Sequence, residues 1–413
     1  MKCIVLSALA ALALNTGVVA QSNCAGDITG DGRIDGVDLA LVLTGWGVCQ
    51  SNPTISGVYP PVGPAAGGTP IAIVGVDLGR TASVTIDGVI APQFSVVSGT
   101  TVTAVTPAGS AGARAIVLRD AQGQEIAAAN YSYFVSELPW ATVLEQYPDP
   151  SVVTNATRRE SLRATGLPWR VRDNASGIEM VLVPPGTFEM GCTASLGWPC
   201  GSEESPVHAV TLTRPFYLGR YEVTQAQWSA AIGSNPSEFQ YPTAQVPEAQ
   251  VPNRPVELVS WNMIQSFLAV TGTRLPTEAE WEYAYRAGTT MAFHGSSIFP
   301  NGTDDDALVG VIGWFGPESQ FQTHPVGTKA GNGFGLHDMA GNVFEWVGDW
   351  FSANYYASSP TTDPPGPESG GLRGIRGGSR DDRVPANLRA SFRGGGWPWF
   401  TRSNLGFRVA RNP

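Results

Sequence analysis

The alternation of apolar and polar positions changes character along the chain. From Pro53 to about Phe134 it forms short β-branched runs: Ile71–Val74, Ser83–Ile86, Phe94–Val97, Thr101–Val105 and Ala115–Leu118. Gly67-Gly68, Asp87-Gly88 and Ala121-Gln122-Gly123 punctuate them. Short strands at regular spacing between turn residues predict a small all-β sandwich over 53–135. Beyond Ser161 the pattern is mixed. Val181 to Gly191 predicts a strand, a turn and a second strand. Thr224 and Thr277 are placed to cap helices, and Glu280 completes a capping box with Thr277. Ile264, Phe267 and Leu268 recur at helical spacing. The C-terminal half, 161–413, therefore predicts an α+β domain. Between the two, Pro139, Pro148 and Pro150 forbid a continuous helix, so 136–160 is expected to be a linker.

Composition narrows the class. Of 413 residues, 42% are hydrophobic and 15% charged, which supports folded cores in several domains. The formal net charge of -10 repels phosphate backbones, so no nucleic-acid partner is expected. Residues 1–20 predict a signal peptide: Lys2, then an apolar stretch from Ile4 to Leu14, then Val18-Val19-Ala20. No later segment is apolar enough for membrane insertion. The expected location is secreted or cell-envelope/periplasmic, after cleavage near Ala20. In such an oxidising compartment Cys24, Cys49, Cys192 and Cys200 allow three pairings. Cys24 with Cys49, bracketing one small unit, and Cys192 with Cys200, closing a short loop, are preferred.

Two small modules come first. In 21–50, Asp27, Thr29, Asp31, Asp35 and Asp38 stand at positions 1, 3, 5, 9 and 12 of a calcium loop. Gly32 stands at the sharp turn, and Arg33 offers its carbonyl at position 7. The segment resembles a dockerin repeat, which implies calcium and a cohesin-like partner. Thr29 replaces the usual Asn or Asp, and one repeat stands where dockerins carry two. In 53–135, Ile55-Ser56-Gly57-Val58-Tyr59-Pro60 followed by Gly67-Gly68-Thr69 resembles the immunoglobulin-like IPT/TIG domain. That resemblance implies a spacer or binding module.

The longest series of motifs lies in 161–413. It includes Arg274-Leu275-Pro276-Thr277-Glu278-Ala279-Glu280-Trp281, Gly335-Leu336-His337-Asp338-Met339-Ala340-Gly341-Asn342-Val343-Phe344-Glu345-Trp346, Gly377-Gly378-Ser379 and Asn404-Leu405-Gly406-Phe407-Arg408. In this order the blocks resemble the formylglycine-generating, sulfatase-modifying factor family. The resemblance implies a C-type-lectin-like fold. It also implies an oxidase that holds copper(I) between two cysteine thiolates, ligands suited to a soft ion.

Those thiolates fall between the Gly-Gly-Ser and Gly-Phe-Arg blocks, where the matching positions are about Asp382 and Asn387. No cysteine follows Cys200, so copper is not expected and catalytic residues are not assigned. His208, His294, His324 and His337 are scattered and lack the spacing of a histidine-held iron site. The family's calcium segment maps onto Asp338 and Glu345 as side-chain donors and Gly341 and Val343 as carbonyl donors, hard oxygens that suit calcium. The alternative is a structural turn with Glu345 paired to an arginine. Trp397, Trp399 and Phe400 follow Gly394-Gly395-Gly396. On such a loop they either stack on a sugar or peptide, or plug the core. The expected role is protein or glycan binding, or scaffolding. The alternatives are a formylglycine-generating oxidase acting on sulfatases, or another oxidation by a cysteine-lacking relative.

Overall fold

The computed structural model describes residues 35–44, 52–192 and 199–413. The signal segment, the Cys24–Cys49 pairing and the loop residues Asp27, Thr29, Asp31 and Arg33 lie outside them. Among the described residues no helix is long and apolar enough to cross a membrane. The chain divides into two compact units, one drawn from the N-terminal third and the other dominated by Asn130–Pro413.

The immunoglobulin-like region carries two sheets. One is antiparallel, in the order Thr54–Tyr59, Pro70–Val76, Thr101–Val105, Gln93–Ser98. Alternation sets its faces: Ile71, Ile73, Val102 and Ala104 turn inward and are buried. The other runs Val62–Pro64, Glu125–Phe134, Gly112–Arg119, Ser83–Ile86, Val89–Ile90. Asp87 and Gly88, at φ 53° and 78°, form the two-residue hairpin between its last two strands. All five β-branched runs are strands. The strand Glu125–Phe134 escapes the pattern because Ala127, Ala128 and Ala129 carry no β signal.

The C-terminal domain has a five-stranded antiparallel sheet in the order Ala141–Glu145, Arg170–Asp173, Glu179–Val183, Phe216–Gly219, Ala410–Arg411. This overturns the expected linker at 136–160. Ala141–Glu145 is the edge strand of that sheet, and Asn155 caps the helix Ala156–Ala164. The three prolines punctuate these elements instead of dissolving them. A four-stranded sheet follows the order Gly394–Gly396, Arg373–Arg376, Phe344–Trp350, Leu405–Phe407, the last pair parallel. The helices Gln225–Ile232, Trp261–Thr271 and Glu278–Arg286 pack beside these sheets. Thr224 and Thr277 cap two of them through full capping boxes with Gln227 and Glu280. Trp228 stacks on Phe267 at 5.6 Å, and both meet the edge of Phe407.

One face of Glu278–Arg286 points into the domain with charges. Arg393 grips both oxygens of Glu278 at 2.7 Å. Arg376 and Arg286 meet the two oxygens of Glu282 at 2.6 and 2.9 Å. All five side chains are buried. Buried charges are tolerated when paired this closely, and losing one partner strands the other.

Candidate functional site

The segment that the resemblance matches to the family's thiolate positions begins at a tight turn. Gly377 and Gly378 have φ of 95° and 71°, a conformation that disfavours any side chain. The chain then coils around Asp382. Its Oδ2 accepts from Ser379 N (2.7 Å) and Ser379 Oγ (3.1 Å), and its Oδ1 accepts from Asn387 Nδ2 (2.6 Å). The two matched positions are thus neighbours in space. Burial holds the Asp382 carboxyl above its ordinary range, outweighing the hydrogen bonds from Asn387 and Ser379. A carboxylate and an amide give hard oxygens and no soft donor. Cys192 and Cys200 form a disulfide, with 5.7 Å between their Cα atoms. Arg389, two residues past Asn387, reaches Cys192 Sγ at 3.3 Å and holds Glu204 through both terminal nitrogens.

The proposed calcium segment is a second cluster. Asp338, Gly341 and Asn342 have φ of 57°, 85° and 60°, which bends the chain sharply. Asp338 is buried. Its Oδ2 accepts from Gly327 N at 2.6 Å, and its Oδ1 has no hydrogen-bond partner among the described residues. Glu345 is also buried and takes three hydrogen bonds: Arg408 donates to Oε1 at 2.6 Å and to Oε2 at 2.7 Å, and Trp281 Nε1 donates to Oε2 at 2.7 Å, so Oε1 keeps acceptor capacity. Sequence reasoning missed Glu222. It accepts from Asn342 Nδ2 (2.7 Å) and Val343 N (3.0 Å), and the nearby carboxylates of Asp338 and Glu345 disfavour its ionisation. Burial raises the Glu222 carboxyl far above its ordinary range and pushes Asp338 up to about 6. Among the described residues, no three His, Cys, Asp or Glu side chains are arranged to hold a metal alone. An ion here needs backbone carbonyls as well, and Gly341 and Val343 lie in the same bend.

The aromatic loop is a third feature. Trp397 and Trp399 stack at 5.2 Å and 17° and remain 50% and 66% exposed. They do not plug the core; Phe400 does pack against it. Asn262 N donates to Pro398 O, tying the loop to the start of the helix Trp261–Thr271. Nearby, the Arg373 guanidinium lies between Trp261 (3.7 Å) and Trp350 (3.5 Å). A side chain at Gly371 would come within 3.2 Å of the Trp397 ring, so the floor beside it stays bare.

The histidines stay apart. His208 faces Tyr356, His294 faces Tyr285, His324 stacks on Trp314, and His337 lies by Tyr221. At the N-terminal loop, Asp35 Oδ1 accepts from Val37 N and Asp38 Oδ2 accepts from Asp35 N, so both carboxylates serve the start of the helix Gly36–Thr44.

A five-stranded and a four-stranded sheet with capped helices, much irregular chain and these ordered blocks define a sulfatase-modifying-factor-type domain. The chain belongs to that family: the model of the sulfatase-modifying factor enzyme 1-like domain matches 169–413, and that of the IPT/TIG domain matches 53–134. A formylglycine-generating enzyme of Streptomyces coelicolor is 34% identical over 285 residues, 56% of this chain and 88% of that protein. The serine/threonine-protein kinase pkn1 of Chlamydia caviae is 30% identical over 56% of this chain but only 38% of its own length. Among solved structures, Treponema denticola variable protein 1 matches with a TM-score of 0.50 at 28% identity, covering 57% of this chain and 95% of that one.

Proposed function

We propose that the C-terminal domain is a ligand-binding member of its family, taking a glycan or protein ligand on the Trp397–Trp399 face, and that it does not make formylglycine. The observation that carries this reading is the Asp382–Asn387 hydrogen bond, which occupies the two thiolate positions with hard, mutually satisfied groups. The exposed, stacked indoles supply the contact face. Aromatic rings offer large apolar area at low entropic cost, and rings left in water mark recognition surfaces. The test has two arms. A sulfatase-type cysteine peptide incubated with the protein and copper(I) should keep its cysteine by mass spectrometry; conversion to the aldehyde sinks the reading. The protein on glycan and peptide arrays should give a signal that Trp397→Ala and Trp399→Ala remove. Binding unchanged in both variants would place the ligand elsewhere.

Calcium at Asp338, Gly341, Val343 and Glu345 belongs to the same proposal. Supporting it are the partnerless Asp338 Oδ1 and three buried carboxylates facing Arg408. The ion would supply charge neutralisation to the bend and no redox chemistry. A calcium loop at Asp27–Asp38 and action outside the cytoplasm complete the proposal, the latter supported by the Cys192–Cys200 disulfide.

A further inference from the structure

The immunoglobulin-like region ends one of its sheets on an unguarded strand. Among the described residues Gln93–Ser98 is an edge strand that pairs with Thr101–Val105 alone, and all six of its residues are exposed. The sheet's apolar rows explain why this matters. One row runs Val58, Ile73, Val102, Val96 across the four strands, and a second runs Ile71, Ala104, Phe94. Every member is buried until the row reaches the edge, where Val96 and Phe94 are 36% and 37% exposed. The inward layer continues onto the last strand, where among the described residues the turn Leu78–Arg80 packs near its end and Phe94 and Val96 stay partly open. Beside them Val97 is also exposed.

Edge strands are ordinarily protected by charge, proline or a bulge across the open backbone. Here no Asp, Glu, Lys or Arg occurs from Gly88 to Ala113. Pro92 stands before the strand, and its register shift comes only between Val96 and Ser98. Neither covers Phe94 to Val96. A shallow groove lined by Tyr59, Ala72, Phe94, Ser95 and Thr103 lies against the same strand.

We infer that this edge pairs with the same edge of a second copy, Gln93–Ser98 running antiparallel to its two-fold mate. The charge distribution favours a second copy over an arbitrary partner. The chain carries a net charge of -10, so two copies repel each other overall. A stretch of twenty-six uncharged residues, 88–113, lets them approach without that penalty. Any register sets neutral residues opposite neutral residues. The partner's Phe94 and Val96 extend the two apolar rows, and the open backbone groups find partners. One added strand buries less than a standard interface of about 1,600 Å², so the dimer is reversible and depends on concentration.

Sedimentation velocity on the full chain over a concentration series tests this. A reversible monomer–dimer equilibrium is expected. Val97→Lys places cations at the joint and should weaken dimerisation about tenfold or more, with an unchanged melting midpoint. Hydrogen exchange on the unsubstituted chain covers the case of a misfolded variant: amides of Gln93–Ser98 should become protected as concentration rises. A monomer at every concentration overturns the inference. So does a dimer indifferent to Val97→Lys, or one lost in Trp397→Ala, Trp399→Ala instead.

Discussion

Asn387 donates to Asp382 at 2.6 Å, and this bond closes the loop that follows Gly377-Gly378-Ser379. Asp382 also receives Ser379 through both its backbone N–H and its hydroxyl. The carboxylate therefore organises the segment between Ser379 and Asn387.

Removing that carboxylate should loosen the loop. Asp382→Ala leaves Ser379 N and Asn387 Nδ2 without their acceptor in a half-buried place, a cost of about 1–3 kcal/mol. Asp382→Asn can serve only one of the two donors and should fall between. Denaturant unfolding of the three proteins gives the order. An Asp382→Ala protein as stable as the parent would mean the loop is held by other contacts.

Arg373 is the tie beneath the aromatic surface. It lies between Trp261 and Trp350 and donates to Gly348 O at 2.7 Å. Arg373→Ala should cost roughly 1–3 kcal/mol from lost packing and cation–π attraction. Arg373→Lys should recover less than half, because an ammonium cannot lie flat between two rings. Equal stability of the Lys variant and the parent would show that charge alone matters there.

How much of this could be seen beforehand follows from the range of each interaction. The caps at Thr224 and Thr277 are legible because both partners lie within three residues. The β-branched strands are legible for the same reason. The Asp382 and Asn387 positions follow from the family resemblance, counted forward from Ser379, and their contact is local. Glu222 gave no signal, because its partners Asn342 and Val343 are 120 and 121 residues away. Glu345 and Arg408 sit in separate blocks, and only the fold joins them. The Trp397–Trp399 loop allows two readings, with the core plug favoured over the exposed face, and the exposure of both indoles overturns the favoured one. The segment 136–160 misled because prolines bound a short strand and a short helix as readily as they mark a linker.

Calcium should raise the melting midpoint of the full chain relative to chelator, because an ion held only by the folded state stabilises it. Glu345→Ala is a poor probe, since it also strands the buried Arg408, at a cost of about 3–5 kcal/mol. Asp338→Ala removes the partnerless Oδ1 and one hydrogen bond from Gly327 N. Its midpoint should be the same in calcium and in chelator. A calcium increment that survives Asp338→Ala would reject this set of ligands, provided Asp35→Ala, Asp38→Ala has removed any contribution from the N-terminal loop.

Glu257 should make stability fall as pH rises toward neutrality. Its carboxyl is buried; Oε1 accepts from Phe239 N at 2.9 Å, and Oε2 has no hydrogen-bond partner among the described residues. Burial pushes its pKa up to about 7, against the opposing pull of backbone hydrogen bonds and Arg380. The folded value is thus raised above the unfolded one, near 4.3 for a free Glu. Its contribution is fully present below the unfolded pKa and is lost as pH climbs through about 7. The loss is of the order of a few kcal/mol. Glu257→Gln keeps an acceptor for Phe239 N and cannot ionise. The stability of the variant minus that of the parent should therefore grow between about pH 5 and about pH 8. His294 and His337, both pushed down to about 4 by burial, act in the opposite sense on the acid side. They are common to both proteins and cancel in the difference. Denaturant unfolding across that range measures it. A difference that does not change with pH would show that Glu257 is ionised in the folded protein, with Arg380 outweighing its burial.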